Sequence, residues 1–155
     1  MKPWETYSSV RFSAMDGYSR PAYVLPYSHR FSEYRTASQA VDQLAFTEAD
    51  WDGFGGIPIN AATQANAKVA LRQLEAGVSA PQVTPNSSGT FSFEWETNYG
   101  SAHLEIGRTK YSFYVRPIVG NPHFSRGHVN QLDPTLGFIV DEALFPKAFP
   151  SLNLR

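Results

Sequence analysis

Three runs between residues 91 and 115 alternate apolar and polar side chains with period two, and they constrain this chain more than any other feature. Phe91, Phe93 and Trp95 fall on one side of the first run. Ala102, Leu104 and Ile106 do the same in the second, and Tyr111, Phe113 and Val115 in the third. A period of two is the signature of strands with one buried face. Asn98-Tyr99-Gly100 and Gly107-Arg108-Thr109 separate the runs and supply hairpin chemistry. The reading is an antiparallel meander.

Helical patterns precede it. Ala37, Ala40, Val41, Leu44 and Ala45 follow i, i+3, i+4, i+7, i+8 spacing and predict a helix over 36–46. Residues 61–76 are alanine-rich, with Asn60 placed to cap the start and Gly77 placed to end the helix. Ala67, Ala70, Leu71 and Leu74 form its apolar face. Between the two helices lies Trp51-Asp52-Gly53-Phe54-Gly55-Gly56-Ile57-Pro58-Ile59, read as a tight turn. Asp52 is expected to accept turn N–H groups, and Trp51 and Phe54 to plug the core. Pro81 and Pro85 flank an extended segment suited to a lead-in or an edge strand, and Asn86-Ser87-Ser88-Gly89 makes a turn.

The ends are less patterned. Residues 1–34 are rich in Tyr, Phe, Ser, Pro and Arg and read as an aromatic N-terminal arm, with a turn at Met15–Tyr18 and a short strand at Ala22–Leu25. Residues 117–155 read as a loop-rich C-terminal extension, with a strand at Gly137–Val140 and a helical turn from Asp141 to Phe145. The fold expectation is one α+β domain over 1–155. Its core at 35–116 has two helices on one face of an antiparallel sheet of about four to five strands.

Composition narrows the chemistry. The 155 residues carry a net charge of −1, so the basic excess usual for phosphate-gripping proteins is missing and direct nucleic-acid binding is disfavoured. Without cysteine there is no disulfide scaffold, thiolate metal site or cysteine nucleophile. The start of the chain lacks a leader-like apolar run and no stretch is long enough to span a bilayer, which points to a cytoplasmic protein without membrane contact.

Candidate chemistry gathers on the polar side of the meander. A four-residue loop at 98–101 would set Thr97 opposite Ala102, Trp95 opposite Leu104 and Glu94 opposite Glu105. A loop at 107–110 would set His103 opposite Tyr114. Glu94, Glu96, His103, Glu105, Ser112 and Tyr114 then share one face. Two facing carboxylates repel, and that raises one pKa and suits acid–base chemistry. Polar groups on a solvated sheet face need no such role. A third use is an acidic, aromatic-edged surface that binds a basic partner. His123 and His128 are spaced i, i+5, unlike a helical zinc pair, and only Asp133 stands near them in sequence as a further ligand. No nucleophile elbow, phosphate loop or dinucleotide fingerprint is present. Neither a cofactor nor a metal is expected.

The Trp51–Ile59 turn, the helix after it, Pro81-x-Val83-x-Pro85, Gly89 and Phe93-Glu94-Trp95 resemble a family of small uncharacterised bacterial and mobile-element proteins over about 40–115. Phe54 and Gly56 stand where that pattern more often has Tyr and Ala. The resemblance implies a small helix–sheet accessory protein with architectural motif positions. The expected function is non-enzymatic protein binding that masks a partner, antitoxin-like or anti-defence in the manner of an anti-CRISPR protein. The partner would be a toxin or a defence-system component. Contact residues are expected at Glu94, Tyr99, His103, Glu105 and Tyr114, with Phe124, Arg126 and His128 contributed by a loop. The alternatives are a small hydrolase or nuclease using Glu94, Glu105 and His103, and a self-associating structural component.

Overall fold

The computed structural model describes residues 27–45 and 47–147. It is an α+β fold. Helices α1 (Tyr27–Leu44) and α2 (Ala61–Glu75) precede strands β1 (Gln82–Pro85), β2 (Phe91–Thr97), β3 (Gly100–Ile106), β4 (Lys110–Pro117) and β5 (His123–His128). A short 3-10 turn (Val129–Gln131) leads to helix α3 (Leu136–Leu144). The sheet runs in the order β1-β2-β3-β4-β5, and every neighbouring pair is antiparallel.

Period-two alternation did set the faces. Phe91, Phe93, Trp95, Ala102, Leu104, Ile106, Tyr111, Phe113 and Val115 are all buried, in one cluster with α1, α2 and α3 side chains. The outline beyond that run differs in three ways from the expectation. First, α1 starts at Tyr27 rather than at 36, so part of the expected arm is helical. Its anchor is Tyr34, 4% exposed, whose hydroxyl donates to the Val78 carbonyl at 2.9 Å. Tyr34, Ala37 and Val41 then continue one buried stripe. Second, residues 123–128 form a strand rather than a loop. Third, α3 is a continuous helix where a strand and a helical turn were expected. Leu136, Val140 and Leu144 are its buried i, i+4, i+8 row. β-branched residues such as Ile139 and Val140 favour strands, but packing of that row overrides so weak a propensity. The turn expected at Met15–Tyr18 and the strand at Ala22–Leu25 lie outside the described residues.

The 51–59 turn is built by carboxylates. Asp52 Oδ1 accepts N–H groups from Phe54 at 2.9 Å and Gly56 at 2.8 Å, and Asp50 Oδ1 accepts from Gly55. The Phe54 bond, ahead of the Gly56 one, holds the Asp52 carboxyl below its ordinary pKa. Gly53 and Gly55 adopt φ of +74° and +84°, which only glycine takes easily. Trp51 donates its indole N–H to the Ile57 carbonyl at 3.2 Å and is half-buried. Phe54 is not a core plug: it is 93% exposed. Pro58 is also exposed, ahead of buried Ile59. Asn60 caps α2 as expected, its Oδ1 accepting from Thr63 N–H at 2.8 Å.

Gly77 follows α2 for another reason than the one its position suggested. Its φ is not positive, and the cap is Ala76. A Cβ at Gly77 would stand 2.7 Å from the backbone of both Gly137 and Phe138. The pair Gly77–Gly137 therefore lets the end of α2 touch the start of α3 backbone to backbone. No described helix is long and apolar enough to cross a membrane.

Gly77→Ala should destabilise the fold by about 1–3 kcal/mol, the range for overpacking against backbone that cannot yield. Urea unfolding midpoints measure this, and Gly53→Ala, which meets open space, separates clash from backbone strain. Tyr34 supplies a second check. Burial, opposed by nearby Arg30, raises its phenol pKa well above the ordinary value. The folded state thus holds the proton more tightly than the unfolded chain. Stability should be intact below about pH 10, the ordinary tyrosine value, and fall as pH rises beyond it. Tyr34→Phe should flatten that alkaline slope in urea titrations at several pH values.

Candidate binding surface

Backbone pairing places the polar side chains in cross-strand rows. One row is Glu94, His103, Tyr114 and Phe124. Beside it run Ser92, Glu105, Ser112 and Arg126. On the other side are Glu96, Ser101 and Arg116. Lys110 and His128 close the far end. Seven of the eight expected contact residues therefore share one sheet face. Tyr99 does not: it sits in the β2–β3 turn, beside a separate groove of about 670 Å³ with Pro117, Ile118 and Ile139.

The row is joined by ring contacts. His103 stacks on Tyr114 with centroids 5.3 Å apart and planes 21° apart, and Tyr114 lies 6.4 Å from Phe124. The Arg116 guanidinium sits 4.7 Å above the Tyr114 ring and 5.9 Å from that of Phe124. Each such cation–π contact contributes about 0.5–1 kcal/mol at an exposed site. Phe124 remains 61% exposed at the margin.

A hydroxyl network fixes the β2–β3 end. Ser92 is only 4% exposed, and its Oγ lies 2.8 Å from His103 Nε2. Asn86 Nδ2 donates to both Ser92 Oγ and Thr90 Oγ1 at 2.9 Å. Thr90 Oγ1 donates to Glu105 Oε1 at 2.6 Å. From sequence Asn86 was read only as a turn residue, and Thr90 and Ser92 were not singled out. The signal was available in Asn86: its turn leads directly into the strand that carries Ser92, at the parity of the polar face.

The expected Glu94–Glu105 opposition is not formed. The β2–β3 loop has two residues, Asn98 and Tyr99, so Thr97 pairs with Gly100 and Trp95 with Ala102. Glu94 faces His103, and Glu105 faces Ser92. Gly100 makes this possible, because a Cβ there would run into the Arg116 backbone. The slip is even, so every side chain kept its face. His103 opposite Tyr114 was read correctly.

The face is also not simply acidic. Glu94 and Glu96 lie on β2, whereas Lys110, Arg116 and Arg126 lie on β4 and β5. Arg108 and Lys110, with Arg126, border an open groove of about 800 Å³ that also touches Thr90, Glu105 and Ser112. None of these four cations forms an ion pair among the described residues; the pairs present are Lys68–Asp42 and His29–Glu33, both elsewhere. The acidic β2 and the basic β4 lie two strand spacings apart, about 10 Å. His123 and His128 point to opposite faces of β5, and Asp133 is engaged by the N–H and hydroxyl of Thr135. Those two bonds hold its carboxyl below the ordinary pKa. Among the described residues, no three His, Asp or Glu side chains gather as a metal site.

Ser92→Ala should lower unfolding free energy by about 1–3 kcal/mol, because Asn86 and His103 lose a buried partner. Ser112→Ala, at an exposed position of the same face, should stay within about 0.5 kcal/mol. Chemical denaturation of the two variants makes the comparison.

No known family model, curated protein or solved structure matches this chain.

Proposed function

We propose that this protein is a non-enzymatic binding module that masks a protein partner with the polar face of its sheet. The three helices cover the other face in this reading. The observation that carries it is the His103–Tyr114–Phe124 row under Arg116. Tyrosine and arginine are the side chains most often found as interface anchors, and here they are adjacent and already ordered by one another. Pre-ordering reduces the entropy cost of docking. The flanks add orientation, since an acidic β2 and a basic β4–β5 fit a partner of opposite polarity in one sense only.

The enzyme reading has less support. It needed two opposed carboxylates, and the register sets Ser92 against Glu105 instead. The Ser92–His103 contact has the form of a nucleophile with its base, but Ser92 is buried and held from its other side by Asn86. An antitoxin-like or anti-defence role for the module, with a toxin or defence component as target, follows from the family resemblance and belongs to this proposal.

A partner captured on the wild-type chain should be lost on Tyr114→Ala and Arg116→Ala, each weakening affinity by roughly tenfold or more, as expected for anchor positions. Phe54→Ala removes a large exposed aromatic that belongs to the 51–59 turn and to none of the cross-strand rows, and should leave the affinity unchanged. Titration calorimetry with the purified partner reads both. Binding that survives the face variants and fails with Phe54→Ala would overturn the proposal.

A further inference from the structure

The two edges of the sheet differ in how their backbones are finished. Asn86 N–H donates to the Thr90 carbonyl at 2.8 Å, in line with the β1–β2 ladder. Antiparallel residues alternate between bonding inward and outward. Gln82 and Thr84 therefore bond to β2, and positions 81, 83 and 85 face outward. Pro81 and Pro85 have no N–H, which leaves Val83 as the outward donor of that edge. Helix α1 also lies against β1. This edge is closed by two prolines at the parity that matters.

β5 is finished otherwise. Val129 N–H donates to the Thr109 carbonyl at 2.9 Å, in line with the β4–β5 ladder. By the same alternation, Ser125 and Gly127 bond to β4, while Phe124, Arg126 and His128 turn N–H and C=O groups away from the sheet. No proline interrupts β5, and no strand pairs with its outer side among the described residues. The three outward-bonding residues also carry their side chains on the polar face, next to Arg116 and Lys110.

We infer that the outer edge of β5 receives an extended acidic segment of the protein partner as a sixth strand. This deepens the function proposed above and rests on it. Charge selects the occupant. An incoming strand sets every second side chain beside Phe124, Arg126 and His128. Acidic residues opposite Arg126 and His128, with an apolar one opposite Phe124, answer all three. In antiparallel sense the segment reads acidic-x-acidic-x-apolar. A second copy of β5 suits the edge poorly, because β5 holds no carboxylate and self-pairing brings arginine towards arginine. Arg126 thus guards the edge against its own kind while marking it for an anionic strand.

The test uses the full chain and two synthetic heptapeptides, acetyl-TETETVT-amide and acetyl-TKTKTVT-amide, at millimolar concentration. With the glutamate peptide, amide hydrogen exchange should slow at Phe124, Arg126 and His128 and change little at Ser125 and Gly127, which are already bonded to β4. The lysine peptide should bind at least tenfold more weakly. Phe124→Pro removes an outward N–H without touching the β4 ladder, and should weaken the glutamate peptide about tenfold more than Phe124→Ala does. Three results would overturn strand addition: protection without this alternation, equal affinity for both peptides, or the same alternating protection arising from concentration-dependent dimerisation without peptide. The face reading is judged separately by Tyr114→Ala and Arg116→Ala. A partner that needs those two residues but tolerates Phe124→Pro as well as Phe124→Ala would sink the strand and keep the face.

Discussion

Everything in this structure depends on one side of the β2–β3–β4 ribbon being dry. Phe91, Phe93, Leu104, Ile106, Phe113 and Val115 are each 3% exposed or less. Burying a large apolar side chain is worth roughly 1.5–3 kcal/mol. A shift of one residue in any strand would exchange its buried side chains for polar ones, such as Ser92 and Glu94 in β2, His103 and Glu105 in β3, or Ser112 and Arg116 in β4. Individual cross-strand contacts on the other face contribute only about 0.2–1 kcal/mol each. The dry face therefore selects the parity, and the polar face accepts the consequences. Contacts on that face such as Tyr114–Arg116 are small beside this burial and do not decide which side is dry.

Small residues and buried polar groups settle how the other elements meet that sheet. Gly77 and Gly137 permit backbone contact between α2 and α3. Trp95 donates its indole N–H to the Ser79 carbonyl at 2.8 Å, and Tyr34 reaches Val78 beside it. Asn66 on α2 donates to the carbonyls of Gly107 and Arg108 in the β3–β4 turn. Each of these hydrogen bonds fixes a position by satisfying a polar group that packing would otherwise strand. None repeats with a period, which is why linear pattern reading passes over them.

The same division runs through the polar face of the sheet. That Glu94, His103, Glu105 and Tyr114 share a face was legible, because a face depends only on parity. Which of them oppose each other was not, because opposition depends on loop length. Asn98-Tyr99-Gly100 accepts a two-residue or a four-residue reading until the Gly100 backbone is seen packed against Arg116. Phe124, Arg126 and His128 were marked as contact residues but assigned to a loop. A strand of mixed polarity such as His-Phe-Ser-Arg-Gly-His has no dry side of its own, so its sequence carries no alternation to read. Asn86, Thr90 and Ser92 form the network at the margin of the face only after the turn at 86–89 folds back.

Sequence alone determined the α+β class, the three central strands and their faces, the cap and buried stripe of α2, and the two prolines at β1. These are local matters, governed by repeat period, turn residues and the absence of a proline N–H. Only the tertiary structure decided the early start of α1, the helical state of α3, the strand state of 123–128 and the partner of each charged side chain. Those follow from what packs against what. Tyr34 has no reason to be helical until Val78 stands beside its hydroxyl. β5 has no reason to extend until β4 offers the carbonyls and N–H groups of Tyr111, Phe113 and Val115.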